Sequence, residues 1–366
     1  MSHKPQPAVG TNMVMTLASR FLTSIGLPLI DRAADASTRP FTRPDMMRPH
    51  TQSLRYGWTH FGIFLPGLPE PHKYCNIMTL LGTTGSVIFD NDYMVQGDPR
   101  DTATFFSSTA ASDAHLYRAY SMKNECEIHK DGSLVRFADN LSISGAYPHF
   151  HVKAAYADFV LDIAIDCTDK VSWFQRNFIY EHLSLLATCS GSITHAGHVT
   201  PIQSLCTFEY ACCASPHIFR KSVVPEAWKL PADFFTYQII NLDPSTQLLL
   251  TDARSLGATG FKGVHVRSLE RDAEIYVDDV VFEVLAYQDT PAVAPDGRIM
   301  QLPTQFAWTV RDGDTLVLDI RCTIDGPWRF GHGRGYATCY RFEGVFRGRA
   351  YAGAGYIEYI DCEMAS

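Results

Sequence analysis

The sequence predicts an all-β protein built from two tandem barrels, and three observations predict it. Strand-forming aromatics are abundant, with 17 Tyr and 22 Phe among 366 residues, and 25 Gly supply turns between the runs. Apolar and polar residues alternate from about Leu54 onward, a period that places neighbouring side chains on opposite faces of a strand. The second half of the chain also echoes the first. Phe159-Val160-Leu161-Asp162-Ile163 returns as Leu316-Val317-Leu318-Asp319-Ile320, followed by Trp173 and Trp328 respectively. A repeat of about 150 residues is too long for a solenoid unit or a propeller blade and reads as a duplicated domain.

Composition narrows the function classes. A net charge of −8 lacks the basic footprint that phosphate backbones demand, so nucleic acid is not the expected partner. With 46% hydrophobic and 19% charged residues the chain can bury a core, which excludes disorder. No apolar run reaches the roughly 18 residues that a membrane span needs.

Read in order, Met13 to Ile30 places Leu17, Phe21, Leu22 and Ile25 on one helical face and predicts a short amphipathic helix. A signal peptide is the competing reading, opposed by Arg20, Gly26 and Pro28, which interrupt the apolar stretch. A Pro/Arg-rich linker follows from Arg39 to His50, so residues 1–53 form a lead-in. The first barrel is expected over 54–212 and the second over 213–366. Asp131-Gly132, Asp296-Gly297, Asp312-Gly313 and Asp325-Gly326 lie between strand-like runs, the pattern of hairpin turns. Closing such sheets into barrels removes their exposed edges and leaves an interior that can hold one small apolar ligand. The ten cysteines contain no Cys-x-x-Cys pair and sit in apolar runs such as Ser204-Leu205-Cys206-Thr207-Phe208, which favours buried thiols and a reduced, cytoplasmic setting.

Candidate chemistry comes from ionisable residues stranded in apolar surroundings. Tyr180 and His182 share a strand face by alternation, and Glu209 interrupts the apolar Cys206–Tyr210 run. A carboxyl pushed into a barrel would have a raised pKa and serve as proton donor, so Glu209 and His182 are the expected acid/base pair, with Tyr180 as hydrogen-bond donor. His149 and His151 also alternate onto one face and are expected to line the cavity with Trp173 and Phe208. Two His on a strand can begin a metal site, but the spacing fixes no third ligand, so neither metal nor cofactor is assigned. Gly331-His332-Gly333-Arg334-Gly335 precedes a strand rather than a helix and reads as a turn, not a phosphate loop. Glu358 is the repeat counterpart of Glu209. No His matches His182 near Gly335-Tyr336-Ala337-Thr338, so the site is expected inside the first barrel alone.

The tandem barrels, with Gly-spaced strand pairs closing on an aromatic-x-acidic motif, resemble the two-domain lipocalin-like superfamily. That group includes carotenoid 1,2-hydratases and lipocalin-like Diels–Alderases, and the likeness is greatest to a bacterial branch without an assigned reaction. Tyr180-x-His182 and Thr207-x-Glu209 fall where the hydratases carry His-x-Trp and Tyr-x-Asp. The resemblance implies a lyase, hydratase or isomerase acting without a cofactor on a terpenoid, polyene or steroid. The alternative is a carrier for a hydrophobic small molecule.

Overall fold

Antiparallel pairing between chain neighbours builds both halves of the molecule. The computed structural model describes residues 33–363, so the expected helix over Met13 to Ile30 lies outside the described residues. The first sheet contains β1 (Trp58–Pro66), β2 (Tyr74–Leu81), β3 (Thr102–Ser108), β4 (His115–Ser121), β5 (Cys126–Ile128), β6 (Leu134–Phe137), β7 (Leu141–Ala146), β8 (His149–Tyr156), β9 (Phe159–Arg176), β10 (Tyr180–His195) and β11 (His198–Cys213). The second contains β12 (Ala232–Asp243), β13 (Thr246–Ser255), β14 (Ala258–Ser268), β15 (Glu274–Tyr276) and β16 (Val280–Tyr287). A separate small hairpin pairs β17 (Ala292–Val293) with β18 (Ile299–Met300). The second sheet resumes with β19 (Pro303–Asp312), β20 (Thr315–Ile324), β21 (Arg329–His332), β22 (Gly335–Phe346) and β23 (Arg349–Asp361).

The two sheets share one topology. In each, the opening strand lies between its successor and the closing strand: β1 between β2 and β11, β12 between β13 and β23. The edges of the first sheet are β4 and β5, joined directly by α2 (Met122–Glu125), so the sheet must curl until its edges approach. Tyr120 on β4 donates a 2.8 Å hydrogen bond to the Asn140 side chain at the start of β7, tying the curled ends together. The edges of the second sheet, β15 and β16, are separated by residues 277–279 alone and curl likewise. The expected two-barrel, all-β fold is what forms. Among the described residues no helix is long and apolar enough to cross a membrane.

Burial patterns show where the barrels meet. Strand β8 alternates exposed and buried residues, with one face on the core and one in water. Strand β1 is buried along its whole length, as are the last nine residues of β11. Phe61, Ile63, Leu65, Phe208 and Tyr210 fill the first barrel, while Phe64 and Phe174 point the other way and join the second barrel's apolar cluster. The outward face of β1 is therefore covered by β12 and β23. Each fully buried large apolar side chain contributes about 1.5–3 kcal/mol.

Polar ties cross the same interface. Arg267 on β14, fully buried, donates to the Ser184 carbonyl at 2.7 Å. The buried Asp90 carboxylate accepts from Lys229 in the connector after the first sheet, from Arg334 Nε at 3.1 Å, and from Arg298 at 3.3 Å.

The lead-in differs from the expected linker. Its Phe41, Met46 and Met47 are buried in the first barrel's core, as are Ala33 and Ala36 of α1 (Ala33–Ser37). Ser37 Oγ accepts from the Trp173 amide at 2.8 Å, and the Tyr210 hydroxyl donates to the Arg48 carbonyl at 2.9 Å. Apolar Phe and Met between the prolines and arginines make this segment packing material for the barrel rather than a tether.

Candidate functional site

The ionisable residues singled out from the sequence meet outside the first barrel, on the face covered by the second. Strand parity explains this. Phe208 and Tyr210 point into the barrel, so Glu209 between them points out, and Leu183 and Leu185 point in, which turns His182 and Ser184 out. On β1, Phe61 points in and His60 out. The expected location inside the barrel is thereby corrected: that interior is filled by aromatic and aliphatic packing, and the site is a chamber between the barrels.

The chamber has two parts. A vestibule of about 250 Å³ runs between Leu230, Phe261 and Ile179. Trp58, Phe89, Phe174, Tyr180, His182 and Phe235 border both it and an inner space of about 40 Å³, at whose end lie His60, Glu209, Tyr237, His332 and Glu358. The inner space has room for a few waters or for the reacting end of a larger molecule.

Glu209 is 3% exposed. Tyr237, reaching across from β12, donates its hydroxyl hydrogen bond to Glu209 Oε1. His182 Nε2 lies 3.5 Å from Glu209 Oε2, and His60 Nε2 lies 4.0 Å from the same oxygen. The 3.5 Å approach is an ion-pair contact without hydrogen-bond alignment, because His182 Nε2, though buried, has no hydrogen-bond partner. Tyr180 Oη and His182 Nδ1 are 2.8 Å apart, as the sequence reading anticipated for two side chains on one strand face. His60 Nδ1 donates to the Thr79 carbonyl at 2.8 Å, which leaves the Nε2 lone pair facing the chamber in the neutral ring.

Electrostatics reverse one expectation. Burial pushes the Glu209 carboxyl up, but His182, His60 and the Tyr237 hydroxyl together outweigh it and hold the group below its ordinary value. Glu209 is thus a carboxylate at neutral pH, a base rather than the proton donor expected. Burial, reinforced by His182, pulls His60 down to about 4 and keeps it neutral. Burial raises the Tyr180 and Tyr237 hydroxyls well above their ordinary range, so both stay protonated; Tyr237 donates to Glu209, while the direction between Tyr180 and His182 follows the tautomer of the ring.

The other expected lining residues lie elsewhere. His149 and His151 face water, their side chains 76% and 54% exposed, each 2.7 Å from an aspartate, Asp166 and Asp162 respectively. Phe208 stacks on Phe150 at 4.1 Å within the first barrel. Trp173 is buried in that same core beside Phe41.

Three residues of the chamber, His60, Tyr237 and His332, escaped the sequence reading of the site. His60 is a lone ionisable residue in the apolar Trp58–Leu65 run, the same signal that exposed Glu209. Tyr237 gives no local signal, since its partner lies on a strand of the other barrel. His332, in the Gly-rich turn, stands with its Nε2 3.0 Å from Glu358 Oε2, and Tyr356 donates to Glu358 Oε1 at 2.9 Å. The second barrel therefore does supply an imidazole–carboxylate pair, contrary to expectation, from β21 rather than from the β22 position matching His182.

Three donor atoms, from His60, His182 and Glu209, lie within 4.8 Å of one another and are the one such His/Cys/Asp/Glu group among the described residues able to hold a metal ion.

Two curled, barrel-like β-sheets packed around a buried, partly polar chamber define the two-domain lipocalin-like fold. The chain belongs to the family of unknown function DUF6670, whose model matches residues 78–366. Among solved structures it is similar to a protein assigned as an AttH from Nitrosomonas europaea, at 13% identity and a TM-score of 0.59, over 89% of this chain and 98% of the other. It is also similar to kievitone hydratase from Nectria haematococca, at 10% identity and a TM-score of 0.57, over 90% and 95% of the two chains. No curated protein matches. At these identities the likeness is one of fold.

Proposed function

We propose that the protein is a lyase, hydratase or isomerase that moves a proton on a lipophilic substrate held between the barrels. The observation carrying this reading is the Tyr180–His182–Glu209 chain at the inner end of an otherwise apolar vestibule. Burying ionisable groups is costly, and three of them aimed at one small space need a reason. The name of kievitone hydratase, a protein of the same fold, supports the reaction class.

In this reading the vestibule takes up the hydrocarbon body of a terpenoid, polyene or steroid and leaves its unsaturated or hydroxylated end beside Glu209. His182 in its protonated form gives the proton from Nε2 to the alkene or enol carbon. Tyr180 positions that ring through Nδ1. The Glu209 carboxylate stabilises the imidazolium and accepts a proton from the attacking water or from the neighbouring carbon. Phe174 and Phe235 border the reacting end, where their ring faces favour a developing positive charge. Running the steps backwards gives dehydration; returning the proton to a different carbon gives isomerisation.

The test is solvent extraction of the purified protein, followed by mass spectrometry of any lipophile and assay of its conversion. Glu209→Gln should retain the lipophile and lose turnover by about 100- to 10,000-fold. A variant with near-normal turnover would refute the assignment. A lipophile that the wild-type protein binds without altering under any condition would make it a carrier.

A further inference from the structure

We propose that His60, His182 and Glu209 form a binding site for one divalent transition-metal ion, in the two-imidazole, one-carboxylate arrangement suited to zinc or ferrous iron. The inference concerns the same His182 Nε2 that the reaction proposed above protonates: a ligated Nε2 carries no proton, so the metal and that proton transfer are alternatives at this atom, told apart by metal binding measured on the protein without substrate.

The argument rests on which atoms have partners and which do not. The remote atom of each side chain is fixed by a hydrogen bond: His60 Nδ1–H donates to the Thr79 carbonyl, His182 Nδ1–H donates to Tyr180 Oη in the tautomer that frees the Nε2 lone pair, and Glu209 Oε1 accepts from Tyr237. Outer contacts of this kind hold metal-binding imidazoles in the correct tautomer and orientation. The near atoms, His60 Nε2, His182 Nε2 and Glu209 Oε2, converge within 4.8 Å. His182 Nε2 stands 3.5 Å from Glu209 Oε2, at the outer limit of a hydrogen bond, while the residue is 9% exposed.

Spacing agrees with the chemistry. Ligands about 2.0–2.1 Å from a tetrahedral ion lie about 3.4 Å from each other. The separations here are 3.5 Å between His182 and Glu209 and 4.0 Å between His60 and Glu209, with all three donor atoms within 4.8 Å of one another, so the two rings must draw together about the carboxylate to complete the set. Gly62, opposite Glu209 on the neighbouring strand, leaves the His60 ring its place: a Cβ there would sit 2.7 Å from His60 Nε2. Three protein ligands leave a fourth position toward the inner chamber. A bound water there would have its pKa lowered from about 15.7 to about 7.

The full chain should be stripped with a chelator, checked for folding by circular dichroism, and titrated with Zn²⁺ by calorimetry and with Co²⁺ by visible absorption. One equivalent of either ion should bind, with cobalt bands of the intensity that a four-coordinate site gives. His182→Gln and Glu209→Gln should abolish binding. Tyr180→Phe, which keeps the ring and removes one outer contact, should weaken it about 10- to 100-fold. The double variant His149→Ala/His151→Ala should bind as the parent does. A folded protein that takes up neither ion overturns the inference and leaves the proton-transfer reading standing. Uptake unaffected by His182→Gln, or removed by the His149/His151 variant, overturns it too. Should His182→Gln fail to fold, unchanged affinity in Tyr180→Phe overturns it alone.

Discussion

The two walls of the chamber occupy equivalent places in a repeated fold and are furnished differently. Each closing strand carries a buried glutamate, Glu209 on β11 and Glu358 on β23, and each glutamate accepts a tyrosine hydroxyl and faces one imidazole. The difference lies on the adjacent opening strand. Glu209 is paired in register with Gly62, Glu358 with Tyr237. A glycine leaves space, and a second imidazole, His60, and the tyrosine of the opposite wall both approach the first carboxylate. The Glu358 wall has no such gap, and its His332 turns Nδ1 against the Met78 sulfur at 2.9 Å. Duplication supplied two carboxylates; the cross-strand neighbour decides which one gathers a working cluster.

The strongest way to break that comparison is to remove each carboxylate in turn. Glu209→Gln is expected to lower turnover by about 100- to 10,000-fold, the usual loss for a positioned proton-transfer group. Glu358→Gln should cost less than about tenfold, because its wall brings a single imidazole to the chamber. Kinetics of the two variants on one substrate decide the matter: equal losses would mean that both walls take part in the chemistry.

Next in size is the clasp that holds the walls together. Asp90, on the loop after β2, is surrounded by Lys229, Arg334 and Arg298. Asp90→Asn removes the most buried counter-charge these cations share and leaves them Glu226, Asp92 and Asp296, so it should destabilise the protein by about 1–3 kcal/mol, read from the urea midpoint. Burial raises the Asp90 carboxyl, but Lys229 and Arg334 outweigh it and hold the group below 3.8. A depressed folded-state pKa adds stability that is fully present above the unfolded value and is lost as pH falls through the folded one. The urea midpoint of the parent should therefore drop more steeply below about pH 4 than that of the variant. Parallel curves would remove Asp90 from the account.

Gly62→Ala tests the gap itself. Its new Cβ would meet His60 Nε2 at 2.7 Å and the Phe64 ring at 2.8 Å. Overpacking of this kind costs about 1–3 kcal/mol, and here the expected result is a displaced His60 with impaired turnover in a folded protein. Unimpaired turnover would show that His60 need not stand where it does.

Much of this arrangement was legible before the structure. Alternation, turn dipeptides and the repeat around Asp162 and Asp319 specify two antiparallel barrels, because period two and short hairpins leave few other solutions. Alternation also pairs Tyr180 with His182. It does not say which face they occupy. Around Glu209 both faces are buried, one by its own barrel and one by the other, so the sequence is apolar on both sides and parity loses its meaning. Tyr237 and His332 join through contacts between barrels, which no local pattern encodes.

The smallest expected effect belongs to the residues where parity could have been read. Phe150, Val152 and Ala154 are the apolar set of β8, so His149 and His151 belong on the opposite, wet face, where they are found. Each meets one aspartate across to β9, and exposed pairs of this kind contribute about 0–1 kcal/mol. Replacing both histidines with alanine should accordingly shift stability by no more than about 1–2 kcal/mol, and less in high salt, where such pairs are screened. Turnover should stay at the parental level, since neither ring reaches the chamber. Loss of activity in a stably folded double variant would move the working site from between the barrels to the outer face of the first, and the contrast between the two walls would then carry no functional meaning.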